Sequence, residues 1–328
     1  MAGVPASNRT SRRASPTRAH PLDGRVVLAT AGFFDVLTAE GTFRCRLRGR
    51  LKHERRRTDL CVIGDAVRID AHPDGTGVVT AVQPRTSRFS RKHPGRGRLR
   101  EDVLVANLDQ LLVVFSFDTP PFSPRMLDRF LVIAEHEGVE PCVVAHKADR
   151  ADEPTREVFE RYAALGYPVL YTSTVMGDGL DALRERLRGP DGRRISALTG
   201  PSGVGKSSLA NALEPGLGLE VGATSAAHGG GRHTTRVATL HPLREGGFLA
   251  DTPGIRELGT WALDPAQLDA CFPELRPYLG ACAFRSCAHV EEPGCAVTEA
   301  VDRGDVDVER YDSYLRLLLD EERPDRHG

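Results

Sequence analysis

The chain has 328 residues, a formal net charge of −1 and hydrophobic residues at 40% of its positions, which is enough apolar material for the cores of two or three domains. It contains no run of about 18 apolar residues and no apolar N-terminal segment, so we expect a soluble cytoplasmic protein rather than a membrane or secreted one. Residues 1–100 hold 21 Lys and Arg against 8 Asp and Glu, and this local surplus predicts that the first third of the chain meets a polyanion.

Residues 1–21 combine arginines with Ser, Thr, Ala and Pro, which predicts a disordered basic tail. Residues 22–84 carry five short strand-like runs separated by turn pairs such as Asp74-Gly75. Five short strands in so few residues predict a small closed barrel of the oligonucleotide-binding (OB) type. The predicted strands are 25–30, 34–37, 43–48, 65–69 and 78–82.

Basic residues alternate along the third predicted strand and continue into the following loop, so the strand should present them on one face. Glu54 is the acid that opposes them between residues 44 and 57. This face is therefore predicted to bind an RNA backbone, with a solvated barrel surface as the alternative. The residues are Arg44, Arg46, Arg48, Arg50, Lys52, Arg55, Arg56 and Arg57.

Residues 85–106 are also basic, and Pro94-Gly95 and Gly97 predict a linker there rather than a strand or helix. It could be a plain hinge or a further phosphate contact. From residue 107 to about 260, strand-like and helix-like segments alternate, which predicts a largely parallel sheet with helices on both faces and ligands at the carboxyl ends of the strands. The predicted strands are 111–115, 142–145, 168–171, 195–199, 237–240 and 248–250, and the predicted helices are 123–138, 153–165, 179–187 and one beginning near Ser208.

The segment His146-Lys147-Ala148-Asp149 follows a predicted strand and resembles the guanine-reading N-K-x-D motif of GTPases. A carboxylate at Asp149 can accept hydrogen bonds from N1–H and from the 2-amino group of guanine, which adenine does not offer. Lys147 would lie along the base, and His146, in place of Asn, could donate one hydrogen bond to the base or to a phosphate loop. Ser173, after the next strand, lies in the predicted base-binding loop.

Residues 200–208 fit the phosphate-loop pattern G-x-x-x-x-G-K-[ST] at every fixed position, between a predicted strand and a predicted helix. Such a loop turns backbone N–H groups and a helix N-terminus toward phosphates. Lys206 would reach the β- and γ-phosphates, and Ser207 would bind Mg²⁺. The residues predicted to bind the nucleotide here are Gly200, Pro201, Ser202, Gly203, Val204, Gly205, Lys206, Ser207 and Ser208.

The segment Asp251-Thr252-Pro253-Gly254 ends a predicted strand and resembles the DxxG motif of GTPases. In that motif the Asp supports Mg²⁺ through water and the Gly N–H meets the γ-phosphate. Residues 231–236 are the predicted first switch segment, in which the hydroxyl of Thr234 or Thr235 could coordinate Mg²⁺. Ile255 follows the DxxG motif where Ras-like enzymes carry a water-orienting Gln, so intrinsic turnover should be slow.

Cys282, Cys287, His289 and Cys295 lie within 14 residues. Three thiolates and one imidazole can close a tetrahedral Zn²⁺ site without an open position, which predicts a structural metal; buried cysteines without a metal are the alternative. Cys271 lies outside this spacing and is predicted to be a core residue. Residues 296–320 are predicted to form one or two amphipathic helices that pack on the cluster.

The guanine-reading segments precede the phosphate loop, the reverse of the usual GTPase order, so the domain should be circularly permuted. This order, with the basic barrel and the Cys/His cluster, resembles the small-ribosomal-subunit-dependent GTPase family RsgA, also called YjeQ, over about residues 22–320. The resemblance implies a GTPase that binds the small subunit and its rRNA late in maturation, is stimulated by it and leaves after hydrolysis. It also makes His233 the candidate for orienting the attacking water, with a solvated or rRNA-contacting loop histidine as the alternative.

The predicted architecture is therefore multidomain and monomeric, with a basic tail (1–21), an OB-like barrel (22–84), a basic linker (85–106), a circularly permuted α/β P-loop GTPase domain (107–260) and a zinc-binding helical module (261–328). Two other functions stay open. One is a GTP-dependent RNA-binding assembly factor with little hydrolysis, because of Ile255 and His146. The other is a P-loop ATPase or kinase, which Asp149 and the DxxG-like segment disfavour.

Overall fold

The computed structural model describes residues 19–49, 60–93, 100–219, 238–252, 255 and 263–319. No helix among these described residues is long and apolar enough to cross a bilayer. Several predicted features lie outside the described residues: the tail up to residue 18, Arg50, Lys52, Arg55, Arg56, Arg57, the switch segment 231–236 with His233, Thr234 and Thr235, and Gly254.

The N-terminal strands form the predicted closed barrel. Their order around it is β1-β2-β3-β5-β4, and β4 pairs back onto β1. Alternate side chains such as Val26, Val36, Ile69 and Val79 fill the interior, as expected when every second residue faces inward. The strands are β1 His20–Thr30, β2 Phe33–Thr38, β3 Gly41–Leu47, β4 Ala66–Ala71 and β5 Thr76–Val82.

The arginines of β3 project outward as predicted, because Arg44 and Arg46 are exposed on either side of the buried Cys45. Two of the three described arginines already have carboxylate partners: Arg44 lies 3.1 Å from Asp35 and Arg48 lies 2.9 Å from Asp70. The guanidinium of Arg46 stacks 4.3 Å from the centroid of the Phe33 ring. The face is basic and carries one half-buried ring, but part of its charge is balanced by the barrel itself.

The prediction of a linker without regular structure at residues 85–106 is wrong. Strands β6 (Arg88–His93) and β7 (Arg100–Ala106) pair antiparallel there. Phe89 and Val105 stand opposite each other in this pair and are fully buried in the main core of the following domain. Basic residues and glycines dominate the local composition, so the few apolar positions reveal a strand only once their partner across the hairpin is known.

The second half of the sheet has the predicted alternating α/β character. Its strand order is β10-β9-β8-β11-β13-β12, and all neighbours are parallel except β12, which runs antiparallel to β13. β12 also meets β1, so the barrel continues this sheet. The strands are β8 Gln110–Ser116, β9 Glu140–His146, β10 Val169–Thr172, β11 Ile195–Thr199, β12 Thr239–Pro242 and β13 Phe248–Asp251.

Four helices cover both faces of this sheet, as predicted. The first two pack with one hydrophobic cluster and the last two with another, on opposite faces. Ser123 and Asp152 cap the first two helices by accepting the N–H groups of Met126 and Thr155, and a proline follows each cap. The helices are α1 Pro124–His136, α2 Glu153–Ala164, α3 Leu180–Arg188 and α4 Lys206–Leu213.

The C-terminal region, where one or two helices are predicted, contains two, α5 (Ala296–Asp302) and α6 (Val308–Leu318). Its core includes Cys271, as predicted, with Phe272 and Tyr314 in edge contact. Helix α6 docks on α1, where the guanidinium of Arg310 donates to Asp128 at 2.5 Å and to Glu274 at 2.6 Å. The C-terminal region is therefore bound to the sheet domain by a buried ionic network.

Candidate nucleotide site and metal centre

Five strand ends define the candidate nucleotide site. Because β8, β9, β10, β11 and β13 are parallel neighbours, their carboxyl ends lie along one edge of the sheet. The guanine-like segment follows β9, Ser173 follows β10, the phosphate loop follows β11, and Asp251 ends β13. Segments more than 100 residues apart in the sequence thus meet at this edge, where parallel α/β sheets bind ligands.

Two glycines of the phosphate loop are required by its close contacts. Gly200 has φ +131°, and a Cβ there would lie 2.1 Å from the carbonyl oxygen of Val114. Gly205 has φ +104°, and a Cβ there would lie 2.8 Å from Cδ2 of His146. A side chain at either position would combine backbone strain with a collision. The loop is consequently packed directly against β8 and the His146 ring.

Lys206 begins α4 and turns back over the phosphate loop. Its ammonium donates to the carbonyl oxygens of Gly200 and Pro201, each at 2.7 Å. Gly205, at the N-cap of α4, provides no side-chain cap. The Lys206 ammonium and the uncapped backbone N–H groups at the start of α4 therefore lie at the same loop. This is the arrangement that binds phosphate.

The imidazole of His146 is nearly fully buried between β10 and the phosphate loop. Its Nδ1 lies 2.9 Å from the Thr172 hydroxyl, and its other edge faces Gly205. Burial, and then the positive charge of Lys147, lowers the pKa of His146, so the ring is neutral at pH 7. The sequence left two contacts open for this residue, the base and the phosphate loop. The packing places the His146 ring against the phosphate loop.

Asp149 and Ser173 form a hydrogen-bonded pair at the mouth of the site. The Ser173 hydroxyl donates to Asp149 at 2.5 Å and accepts the N–H groups of Val175 and Met176. The Ser173 hydrogen bond lowers the pKa of Asp149, which keeps an exposed carboxylate ionised. Lys147 has a left-handed backbone and donates to the carbonyl oxygen of Thr119 at 2.5 Å, which connects this segment to the loop after β8.

The predicted Mg²⁺ ligands that the structure describes, Ser207 and Asp251, line one cavity of about 40 Å³ together with Lys206. His241 and Thr252 complete its polar lining. Burial lowers the pKa of His241, and the charge of Asp251 opposes that shift. Hydroxyl and carboxylate oxygens around a small cavity are the donor set that Mg²⁺ prefers, so the residues fit the ion.

Ile255 lies in the core and not at the site. It is 1% exposed, and its carbonyl oxygen accepts the buried Thr199 hydroxyl at 2.8 Å. Its N–H donates to the carbonyl oxygen of Thr252 at 3.3 Å. The Ile255 side chain is therefore held in the core and offers nothing that could orient water.

The four predicted zinc ligands come together, with one ligand atom from each lying within 4.8 Å of the others. Nδ1 of His289 lies 3.5 Å from Sγ of Cys282 and 3.4 Å from Sγ of Cys295, and these two sulfurs are 4.0 Å apart. Tetrahedral coordination with Zn–S of about 2.3 Å and Zn–N of about 2.0 Å gives edges of roughly 3.5–3.8 Å. The geometry fits a closed four-ligand zinc site.

Further side chains hold the cluster in place. Nε2 of His289 lies 3.4 Å from a carboxylate oxygen of Asp269, a contact that fixes the ring with Nδ1 toward the cluster. The hydroxyls of Tyr311 and Tyr314 on α6 donate to the carbonyl oxygens of His289 and Ala288, each at 2.7 Å. Sequence reasoning missed Asp269, as it missed Thr119 and His241, because each becomes relevant only through a long-range contact.

Comparison with known proteins gives consistent matches. The RsgA GTPase family model matches residues 82–261, and the RsgA N-terminal domain model matches residues 23–79. A small ribosomal subunit biogenesis GTPase RsgA from Gemmatimonas aurantiaca is 51% identical over 298 residues, covering 90% of this chain and 95% of that protein. The corresponding protein from Moorella thermoacetica is 39% identical over 299 residues, covering 91% and 97%.

Solved structures agree with the sequence comparisons. The crystal structure of YjeQ from Thermotoga maritima superposes with a TM-score of 0.74 at 32% identity, covering 92% of this chain and 98% of that one. YloQ, described as a circularly permuted GTPase, gives a TM-score of 0.72 at 28% identity, covering 98% and 100%.

Proposed function

This chain belongs to the RsgA GTPase family and is a GTP hydrolase of small ribosomal subunit biogenesis, and we propose that it binds the small subunit directly, late in maturation, and is stimulated by it to hydrolyse Mg²⁺·GTP. The convergence of the phosphate loop, the Lys147–Asp149 segment, Ser173 and Asp251 on one edge of the parallel sheet carries the nucleotide part of this proposal. The names of the relatives, small ribosomal subunit biogenesis GTPases, support the subunit as its partner.

Phosphate binding is assigned to residues 200–208. The backbone N–H groups of the loop and of the first turn of α4 surround the phosphates, and Lys206 leaves its carbonyl partners to pair with the β- and γ-phosphates. Ser207 would hold Mg²⁺, and Asp251 would support the ion through water. Thr234 or Thr235 and the N–H of Gly254 remain predicted contacts in segments outside the described residues.

Guanine recognition is assigned to Asp149, whose carboxylate accepts hydrogen bonds from N1–H and the 2-amino group of the base. Ser173 supports this role because its hydroxyl fixes one carboxylate oxygen and keeps the group ionised. His146 supports the phosphate loop beside this segment, as a neutral ring packed between Thr172 and Gly205. An adenine base offers no paired donors to a carboxylate, so ATP should compete poorly.

Slow intrinsic turnover follows from Ile255, whose side chain is buried and cannot orient a nucleophile. The subunit would then order the missing catalytic group, for which His233 of this chain is the candidate. The same observation supports the second function, a GTP-dependent RNA-binding assembly factor that hydrolyses little.

The remaining regions are assigned by their chemistry. Cys282, Cys287, His289 and Cys295 would hold one structural Zn²⁺, and the ion would supply cross-linking rather than catalysis because four protein ligands leave no open position. The outer face of β3, with Arg44 and Arg46, would contact the rRNA backbone together with Arg48, which follows the strand. The protein would act as a cytoplasmic monomer.

Hydrolysis of GTP by the purified protein, alone and with small ribosomal subunits, tests the proposal, with Lys206→Ala as the inactive control. Stimulation by subunits that the control lacks is the expected result. Tight GTP-dependent binding to subunits without stimulation would favour the second function. Neither binding nor stimulation would contradict the ribosomal assignment.

A further inference from the structure

The turn that carries His289 has a backbone conformation that needs support. His289 has φ +58°, in the left-handed region that a residue with a side chain adopts only at a cost in free energy. Its imidazole points inward, since it is 3% exposed and its Nδ1 lies 3.4 Å from Sγ of Cys295. Such a conformation persists only where contacts around it offset its cost.

Glu292 supplies these contacts from three residues further along the chain. Its Oε1 accepts the N–H of Ala288 at 2.7 Å, and its Oε2 accepts the N–H of Val290 at 2.9 Å and that of Glu291 at 3.2 Å. Backbone N–H groups around a left-handed residue form a concave nest that binds an anion. Here the anion is a side chain of the same loop, so one carboxylate binds the chain on both sides of His289.

Helix α6 holds the carbonyl groups of the same turn. The hydroxyl of Tyr314 donates to the carbonyl oxygen of Ala288 at 2.7 Å, and that of Tyr311 donates to those of His289 at 2.7 Å and Val290 at 3.3 Å. The helix therefore fixes the carbonyl side of the turn, and Glu292 fixes its N–H side. Without the Glu292 carboxylate, less would oppose the return of His289 to an ordinary backbone conformation.

We propose that Glu292 is a positioning residue for the Cys/His metal centre. Its carboxylate holds the left-handed turn at His289 and so keeps Nδ1 directed toward the cysteine sulfurs that complete the cluster. Glu292 does not coordinate the ion, because three cysteines and one histidine already supply four ligands. The inference rests on the proposed function, which assigns one Zn²⁺ to those ligands.

Competition for Zn²⁺ between the full chain and a chromophoric chelator measures this effect without any GTP turnover. Glu292→Ala removes all three accepted hydrogen bonds and should weaken zinc binding about tenfold, as expected for outer-sphere partners of a bound metal. Glu292→Gln keeps one acceptor oxygen and should lose less. Glu291→Ala is the matched control, because it removes the same charge from the exposed neighbouring residue and should bind zinc as the wild type does.

A double-mutant cycle with His289→Gly separates positioning of the histidine from general support of the loop. Glycine adopts a positive φ at no steric cost and offers no imidazole, so Glu292→Ala should cost little zinc affinity in that background. An equal loss there, or an equal loss in Glu291→Ala, would overturn the inference.

Wild-type zinc affinity in Glu292→Ala would also overturn the inference, as would wild-type affinity in Glu292→Gln if Glu292→Ala fails to fold. A wild-type chain that binds no zinc would instead contradict the zinc site assigned under the proposed function.

Discussion

The nucleotide site and the Cys/His cluster achieve their geometry in different ways. The nucleotide site draws on segments from β8 to β13 that the parallel sheet aligns, and the protein's own packing, such as His146 against Gly205, holds its loops. The cluster draws on residues 282–295, most of which lie in turns and bends, and its ligand atoms have few partners other than each other. The fold therefore preorganises the first site, while the second needs its metal to hold the local fold.

Removing a zinc ligand should have the largest effect on the structure, and this effect should be confined to the region around the Cys/His cluster. Structural zinc sites contribute an apparent free energy of about 10–16 kcal/mol. Cys295→Ser should abolish zinc retention and expose residues 282–318 to proteolysis, while GTP affinity stays within twofold. Zinc content by elemental analysis and mapped cleavage sites are the measurements.

Cys271→Ser is the matched control, because Cys271 is a buried thiol outside the cluster. It should keep its zinc. Full protease resistance of zinc-free Cys295→Ser would contradict the view that the metal holds this module together.

The sheet domain, which carries the nucleotide site, and the C-terminal region, which carries the Cys/His cluster, meet at the buried pairing of Arg310 with Asp128 and Glu274. Burial alone would lower the pKa of Arg310, but the charges of these two acids raise it, so the guanidinium stays charged. Arg310→Met would leave both carboxylates buried without a counter-charge and should lower the free energy of unfolding by about 3–5 kcal/mol. Denaturant titration measures this change.

Arg303→Ala removes an exposed arginine that pairs with Asp305 and should leave the denaturation midpoint unchanged. Zinc content and GTP affinity should be unaltered in both arginine variants. An Arg310→Met protein with reduced GTP affinity would show that the two regions are coupled rather than merely joined.

A smaller change tests whether the nucleotide site is preorganised by packing. Gly205→Ala should destabilise the loop through its positive φ, at about 1–3 kcal/mol, and through collision with the His146 ring. Gly166→Ala is the control for strain alone, since Gly166 has φ +93° and nothing near its would-be Cβ. Adding His146→Ala should recover part of the GTP affinity lost in Gly205→Ala, and a cycle with no such recovery would contradict the contact.

The smallest expected effect concerns pH. Because the Ser173 hydrogen bond lowers the pKa of Asp149, the carboxylate keeps its charge as the pH falls through the range in which an ordinary Asp is protonated. In Ser173→Ala that pKa should rise, so GTP affinity should begin to fall at a higher pH than in the wild type. Superimposable affinity profiles from pH 7 downward would contradict this role of Ser173.

The difference between local patterns and contacts across the fold also explains which features the sequence could predict. The phosphate loop, the Cys/His spacing and the barrel strands are local patterns, and each was found where it was predicted. Pairings across the fold left no local signal. Phe89 opposite Val105 and Asp269 beside His289 therefore went unpredicted, as did the seating of the His146 ring between Thr172 and Gly205.

Replacing the base-reading carboxylate tests the central claim, that this edge of the sheet is a guanine nucleotide site, most directly. In Asp149→Asn the side chain becomes an acceptor beside a donor, which suits the N1–H and 2-oxo groups of xanthine and no longer suits guanine. Competition against a fluorescent nucleotide should show the wild type preferring GTP and Asp149→Asn preferring xanthosine triphosphate. An unchanged preference for GTP in Asp149→Asn would place the base elsewhere and contradict the account.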